Sequence, residues 1–149
     1  TSRMLGGGNH DSMRMQQLAT SAQGLAMENH GQGVALEDWH QNAQLSSLFK
    51  VVSYSLDRTG RKYVSTIEGR DLPIYGTQWH PEKNLFEWTL KESIPHSADA
   101  SLLTQGLANF LVEEARKSTH APASYEEELE LLMYNYVPTF TAKTWPEFN

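Results

Sequence analysis

Residues 78–83 carry the residue types in this sequence that are best suited to acid–base chemistry. They read Gln-Trp-His-Pro-Glu-Lys and place His80 two positions before Glu82. Side chains two apart on an extended backbone point to the same side, so we expect the imidazole and the carboxylate to lie together. A carboxylate that accepts the proton of one imidazole nitrogen fixes the tautomer and leaves the other nitrogen to act on a nucleophile. The pattern favours a general base with its orienting acid.

A plainer interpretation of the same residues stays open, because His-x-Glu is a common tripeptide. His80 can simply end a strand, with Glu82 as an exposed loop carboxylate. Pro81 disfavours helical backbone at His80, which places the imidazole at a strand end, where the active sites of α/β sheets gather. The sequence contains no Cys, so a Cys nucleophile, a disulfide and a thiolate metal site are excluded within this chain.

The elements before the motif are predicted to be strands. Residues 49–56 and 61–67 are rich in β-branched and aromatic residues and flank Asp57-Arg58-Thr59-Gly60. Asp early and Gly late in a four-residue connection suit a type I turn followed by a left-handed position, which predicts a β-hairpin. A third strand over 74–79 is expected to run directly into His80.

Helices are predicted on both sides of these strands. Ser97 is expected to cap a helix to about Lys117, because apolar residues recur there at spacings of three and four. Residues 124–127 fit a capping box that opens a helix to about Asn135. Further predictions are a loop over 5–10, a helix over 11–20, a strand over 25–29, a helix over 36–47 and an extended segment over 137–141. This mixture predicts an α/β protein.

Composition narrows the function classes. The 149 residues are 39% apolar and 20% charged, which is typical of a chain that packs a core. The net charge of -6 argues against a nucleic-acid partner, because phosphate neutralisation needs clustered Lys and Arg. The sequence has no run of 18 apolar residues, so no membrane span is predicted. It also has no metal-ligand spacing, phosphate loop or dinucleotide fingerprint, so no metal and no cofactor are predicted.

A longer motif around His80 resembles a known family. Residues 75–84 (Tyr-Gly-Thr-Gln-Trp-His-Pro-Glu-Lys-Asn), followed by Phe86-Glu87-Trp88, are similar to the signature around the catalytic histidine of γ-glutamyl hydrolases. The shorter Gln-aromatic-His-Pro-Glu core resembles class I glutamine amidotransferases in general. The similarity continues through 63–68, 94–97 and 110–117, and covers about residues 24–140.

The resemblance implies a fold and a catalytic arrangement. The fold would be α/β, with the three layers (α/β/α) of the class I glutamine amidotransferase-like (flavodoxin-like) fold. Residues 1–149 would be the C-terminal part of a single domain, with 1–23 as a loop and short helix. His80 would be the general base and acid for a cysteine nucleophile, and Glu82 would orient it.

His30 matches a family histidine that lies near the substrate, so the resemblance implies a substrate-binding role for it. The following Gly31-Gln32-Gly33 departs from the family pattern. A partly exposed histidine at a strand end is therefore the alternative.

The implied reaction is attack of a thiolate on a γ-glutamyl amide, followed by hydrolysis of the thioester by water that His80 activates. Folate poly-γ-glutamates are the implied small-molecule substrates, with no cofactor. A second chain or an N-terminal half must supply the Cys, and the opening at Thr1 resembles the interior of a longer protein. The resemblance implies a location in the lysosome, the vacuole or the extracellular space. Assembly into a homo-oligomer stays open.

Two other functions stay open from the sequence. One is a catalytically inactive relative that binds or supports another protein. The other is a glutamine amidotransferase domain that feeds ammonia to a synthase, which Phe86-Glu87-Trp88 disfavours. Basic side chains that could meet the polyanionic substrate are left without an assigned role: Arg58, Arg61, Lys62, Arg70 and Lys83.

Overall fold

The computed structural model describes residues 2–5, 18 and 24–139. The predicted helix over 11–20 lies outside the described residues except for Leu18, and the predicted loop over 5–10 lies outside them except for Leu5. The last two positions of the predicted extended segment, 140 and 141, also lie outside; 137–139 are described and belong to no helix or strand.

Three strands form one antiparallel sheet in the order β1-β2-β3. They are β1 (Phe49–Leu56), β2 (Lys62–Gly69) and β3 (Tyr75–Thr77). Strand β2 is central: it pairs with β1 along its whole length and with β3 over Glu68, Ile67 and Thr66. The predicted hairpin is confirmed.

The hairpin turn forms for the reasons that the sequence indicated. The Asp57 carboxylate accepts hydrogen bonds from the backbone N–H of Thr59 at 2.8 Å and of Arg61 at 2.9 Å. Gly60 has φ +85°, a left-handed conformation that costs residues with a Cβ about 1 kcal/mol or more. Aspartate and glycine therefore fix the turn, and with it the register of β1 on β2.

The predicted strand that precedes His80 (74–79) and the predicted strand that pairs with His80 (25–29) are both shorter than expected. Regular pairing of the third strand ends at Thr77, not at residue 79, but Gln78 N–H still donates to Ser65 O at 2.8 Å. The predicted strand over 25–29 is reduced to a single antiparallel bridge between Met27 and His80. The chain leaves the sheet at this point because its hydrogen-bond partner changes from β2 to the segment around Met27.

The helices are α1 (Leu36–Gln41), α2 (Ala43–Leu48), α3 (Lys83–Phe86), α4 (Ala98–Ala115) and α5 (Tyr125–Glu130), followed by a 3₁₀ turn (Met133–Asn135). The single helix predicted over 36–47 is wrong. Asn42 adopts an extended conformation between α1 and α2, and its side chain accepts the Leu45 N–H at 3.0 Å. Asparagine thus ends one helix and caps the next.

The two C-terminal predictions have different outcomes. The Ser97 cap of α4 is confirmed, because its hydroxyl accepts the Ala100 N–H at 3.1 Å. Helix α5 starts with the predicted Ser124 cap but ends at Glu130 and does not reach Asn135. The Asn135 side chain donates to the carbonyls of Leu129 and Glu130 at 2.7 and 3.0 Å, so it caps the last turn.

The core joins α4 to the strand end that precedes His80. Leu103 and Leu107 of α4 pack in one buried cluster with Leu25 and Trp79. Trp79 is 7% exposed, and its indole N–H donates to Thr66 Oγ1 at 3.0 Å. The residue directly before His80 is therefore held by packing and by a hydrogen bond.

The mixture of helices and strands confirms the α/β class in its coarse form. Within residues 2–5, 18 and 24–139, we find no helix that is both long and apolar enough to cross a membrane.

Candidate active site

His80 and Glu82 lie together as the spacing predicts. Nδ1 of His80 is 2.9 Å from Oε1 of Glu82. The two side chains are 37% and 65% exposed, respectively, so the pair lies at the surface of the described part of the chain. The geometry is that of an imidazole whose orientation a carboxylate sets.

Three contacts hold this pair in place. The His80 N–H donates to Met27 O at 2.9 Å, and Trp79 is buried in the core. On the other side of Glu82, Asn84 is 1% exposed and its amide donates to Leu25 O at 2.7 Å. Anchors before and after the pair therefore limit its movement, as a catalytic group requires.

The hydrogen bond assigns roles to the two imidazole nitrogens. In a neutral imidazole, Nδ1–H donates to Glu82 and Nε2 keeps its lone pair. Within the described residues, Nε2 makes no hydrogen bond. Burial raises the pKa of Glu82, but hydrogen bonds from its own backbone and from His80, with the charge of Lys83, lower it overall. Glu82 is therefore an ionised acceptor at neutral pH, and Nε2 is the nitrogen available for proton transfer.

His30 belongs to a second histidine–carboxylate pair. Its Nε2 is 3.0 Å from Oε2 of Glu28, and its Nδ1 is 2.8 Å from the backbone carbonyl of Gln32. The ring also lies edge-on to Tyr63 at 5.0 Å between centroids. Both ring nitrogens are occupied, and none of these contacts joins His30 to the His80 pair. The substrate-binding role predicted for His30 therefore stays a prediction.

Glu28, the carboxylate partner of His30, was not among the residues predicted from the sequence. Its Oε1 accepts the hydroxyls of Ser55 at 3.1 Å and Ser65 at 3.3 Å, while its Oε2 meets His30. The Glu-x-His spacing of 28–30 mirrors the His-x-Glu spacing of 80–82. That repetition was the available signal.

The Tyr63 hydroxyl lies in the environment that Glu28 creates. Burial raises the pKa of Tyr63 to about 12, and the negative charge of Glu28 adds to the effect, against a hydrogen bond with Ser55. The phenol is therefore expected to stay neutral well above the ordinary tyrosine pKa of 10.0.

An alkaline titration tests this placement of Tyr63. Because the folded pKa lies above the unfolded one, the stabilising effect is complete below pH 10 and is lost as pH rises towards 12. Each unit of difference corresponds to about 1.4 kcal/mol of folding free energy. The absorbance change that Tyr63→Phe removes reports ionisation of the Tyr63 phenol. We expect this change to coincide with alkaline unfolding. Ionisation of Tyr63 near pH 10 in the folded chain would contradict its buried placement.

Two of the five basic side chains left without a role are paired with carboxylates. Arg61 Nη2 lies 2.6 Å from Glu37, and Lys83 Nζ lies 2.7 Å from Glu92. Lys62 lies over the Tyr54 ring at 4.5 Å, and Arg70 donates to Ser46 O at 2.9 Å. Arg61 and Lys83 are thus already neutralised within this chain.

Metal chemistry has no candidate site among the residues that the structure describes. No group of three or more His, Asp or Glu side chains is arranged there to hold an ion.

Comparison with known proteins finds relatives that share one name. The chain is 48% identical over 121 residues to "Probable gamma-glutamyl hydrolase 3" of Arabidopsis thaliana, covering 81% of this chain and 34% of that protein. It is 39% identical over 119 residues to "Gamma-glutamyl hydrolase B" of Dictyostelium discoideum, covering 80% and 34%. It is 34% identical over 125 residues to "Gamma-glutamyl hydrolase" of Homo sapiens, covering 83% and 39%.

No family model matches the chain. The chain spans about a third of the length of the curated relatives that it matches.

Proposed function

The chain belongs to the γ-glutamyl hydrolase family over the part that it shares with these relatives, and we propose that it supplies the histidine and glutamate of a γ-glutamyl hydrolase site. The observation that carries the proposal is the 2.9 Å contact between His80 Nδ1 and Glu82 Oε1, inside the motif that resembles this family. The cysteine comes from an N-terminal half or from a second polypeptide.

In the proposed reaction, Nε2 of His80 takes the proton of the cysteine thiol. The thiolate attacks the carbonyl carbon of the γ-glutamyl amide, and the carbon–nitrogen bond breaks as Nε2 returns the proton to the leaving amine. Water then loses a proton to Nε2 and attacks the thioester, which releases the product carboxylate and the thiol. Glu82 stabilises the imidazolium in both half-reactions.

Folate poly-γ-glutamates are the proposed substrates, because the relatives are named for γ-glutamyl hydrolysis and the resemblance points to this substrate class. We place His30 near the substrate. Since both of its ring nitrogens are occupied, it contributes shape to the wall of the site and no proton transfer.

The complete protein has the three-layer class I glutamine amidotransferase-like fold in this proposal, with residues 1–149 as the C-terminal part of one domain. It works in the lysosome, the vacuole or the extracellular space. Both statements follow from the resemblance of residues 75–88 to this family.

Reconstitution tests the proposal. The purified chain is assayed on folate poly-γ-glutamates alone, and then together with the Cys-containing N-terminal part of a family member. We expect no turnover from the chain alone, because removing the nucleophile of a triad lowers kcat on the order of a millionfold. We expect steady turnover from the combination, and none when the cysteine of the added part is replaced by alanine.

Three results would count against the proposal. Steady hydrolysis by the chain alone would show that another nucleophile operates. A folded complex without activity would favour an inactive relative. Preferential hydrolysis of free glutamine would favour a glutamine amidotransferase domain. Denaturing intact-mass measurement of the native preparation shows whether a Cys-containing polypeptide accompanies the chain.

A further inference from the structure

Lys83 directly follows Glu82 and is nearly buried. Its side chain is only 12% exposed, although a lysine side chain normally extends into solvent. The ammonium lies 3.1 Å from Glu87 and 2.7 Å from Glu92, whose side chains are 25% and 15% exposed. Lys83 thus holds two partly buried carboxylates at once.

Glu92 connects this cluster to a second segment. Its Oε1 accepts the side-chain amide of Asn29 at 2.5 Å, while its Oε2 meets Lys83. Asn29 directly precedes His30, and Lys83 directly follows Glu82. The chain of contacts from Lys83 through Glu92 to Asn29 therefore bridges the two segments that carry the histidine–carboxylate pairs.

The same two segments meet at two further points, one of them the hydrogen bond from the Asn84 amide to Leu25 O at 2.7 Å. The His80 N–H donates to Met27 O at 2.9 Å in an isolated antiparallel bridge. An isolated bridge has no neighbouring ladder hydrogen bonds, so the contacts outside it decide how easily it opens. The contacts of Lys83 join the same two segments on the C-terminal side of Glu82.

The charge environment disfavours a direct role for Lys83 in binding substrate carboxylates. Burial lowers the pKa of Lys83, but hydrogen bonds to Glu92 and Glu87 raise it overall, so the side chain stays charged. A cation that already faces two carboxylates presents no net positive field to an anionic ligand. A substrate carboxylate would have to displace a protein carboxylate to reach it.

We propose that Lys83 is a positioning residue that ties the His80-Pro81-Glu82 turn to the segment carrying His30, through Glu92 and Asn29. The inference deepens the proposed function and rests on it for the meaning of the two histidines. The tie itself is a property of this chain and can be measured without any catalysis.

Amide hydrogen exchange of the chain provides the direct test. In Lys83→Met we expect the His80 amide to exchange about tenfold faster or more, because the junction that protects it loses one of its ties. The amides of Leu103 and Leu107 in α4 are expected to change much less, since they open by global unfolding. Glu92→Gln is expected to show the same local effect, and the double variant less than the sum of the two.

Lys117→Met is the matched control. It removes the same side chain and charge from an ion pair with Glu114, but there the lysine is 69% exposed and far along the chain from His80. We expect no change at the His80 amide in this variant. Equal acceleration of all protected amides in Lys83→Met, or no acceleration at His80, would overturn the proposal.

Activity of the reconstituted enzyme separates positioning from binding. A positioning role predicts that Lys83→Met lowers kcat about tenfold or more with little change in KM, and that Lys83→Arg recovers part of the loss. A rise in KM that grows with the number of glutamates in the substrate would instead make Lys83 a substrate cation. If the reconstituted wild type is inactive, the proposed function fails. The exchange result still decides whether Lys83 holds the His80-Pro81-Glu82 turn to the segment carrying His30.

Discussion

Replacement of His80 by alanine is expected to abolish γ-glutamyl hydrolysis by the chain combined with its Cys-containing counterpart. The imidazole is the only group that takes the thiol proton and later activates water in the proposed reaction, so both half-reactions lose their base. Loss of the base of a comparable triad lowers kcat on the order of a millionfold. Steady-state and single-turnover assays of the combined protein measure the effect.

Glu82→Gln is the informative companion to this variant. Glutamine keeps an oxygen near Nδ1 but removes the negative charge that holds the 2.9 Å contact and stabilises the imidazolium. An equivalent change in a serine protease lowers kcat on the order of ten-thousandfold through the wrong tautomer, and we expect a similar fall here. Nitrogen chemical shifts of the His80 ring report the tautomer independently of activity.

His40→Ala serves as the control for the His80 variant. His40 lies exposed in the last turn of α1. Its removal is expected to leave kcat and KM unchanged. Retention of wild-type turnover by His80→Ala would show that another group is the base, and the catalytic role of the His80–Glu82 pair would then be abandoned.

The hairpin and the His80–Glu82 pair could be predicted because their determinants are local. Asp57 and Gly60 lie within the turn that they stabilise, and His80 and Glu82 are separated by a single proline. Each feature depends on backbone geometry over two to four residues. Sequence patterns at that range translate directly into contacts.

The helix predicted over 36–47 rests on an apolar stripe of Leu36, Trp39, Ala43 and Leu48, and this pattern was misleading. Trp39 is buried as the pattern requires, but Leu48 is 52% exposed. The stripe therefore does not mark one continuous buried face. Asn42 interrupts the helix by accepting the Leu45 N–H, a competition between side chain and backbone that residue spacing does not show.

The carboxylate contacts that join distant segments were not predicted. Glu28 reaches Ser55 and Ser65, and Glu92 reaches Asn29. These partners are 27 to 63 residues apart, so nothing in the local sequence connects them. Only tertiary packing decides which of the 18 acidic residues face solvent and which are enclosed.

Glu68 is the extreme case and the basis of the largest expected effect on stability. It is fully buried at the end of β2, and its carboxylate accepts the Arg3 Nε at 2.7 Å and the Ser2 hydroxyl at 2.8 Å. Lys50 lies 3.4 Å away. Arg3 also donates to the carbonyls of Gly69 and Leu72 at 2.6 and 3.0 Å. This cluster fastens residues 2–5 to the sheet.

Glu68→Ala is expected to lower the free energy of unfolding by about 2 to 4 kcal/mol. Breaking a buried ion pair costs about 3 to 5 kcal/mol, and the estimate is reduced because the Arg3 side chain keeps 42% of its surface exposed. Urea unfolding of the wild type and of Glu68→Ala measures the difference in the free energy of unfolding. Glu37→Gln, which removes the exposed partner of Arg61, is the matched control and is expected to leave the midpoint unchanged.

The acid limb of the stability curve tests the same cluster in the unmodified chain. Burial raises the pKa of Glu68, but hydrogen bonds from Arg3 and Ser2 and the charge of Lys50 lower it overall. Because the folded pKa lies below the unfolded value of 4.5, the stabilisation is complete above that pH and is lost as pH falls through the folded pKa. Glu68→Ala should therefore flatten the fall in stability below pH 4.5. An acid limb that is identical in the wild type and in Glu68→Ala would show that the pKa of Glu68 does not change on folding, and would contradict a stabilising ion pair between Glu68 and Arg3.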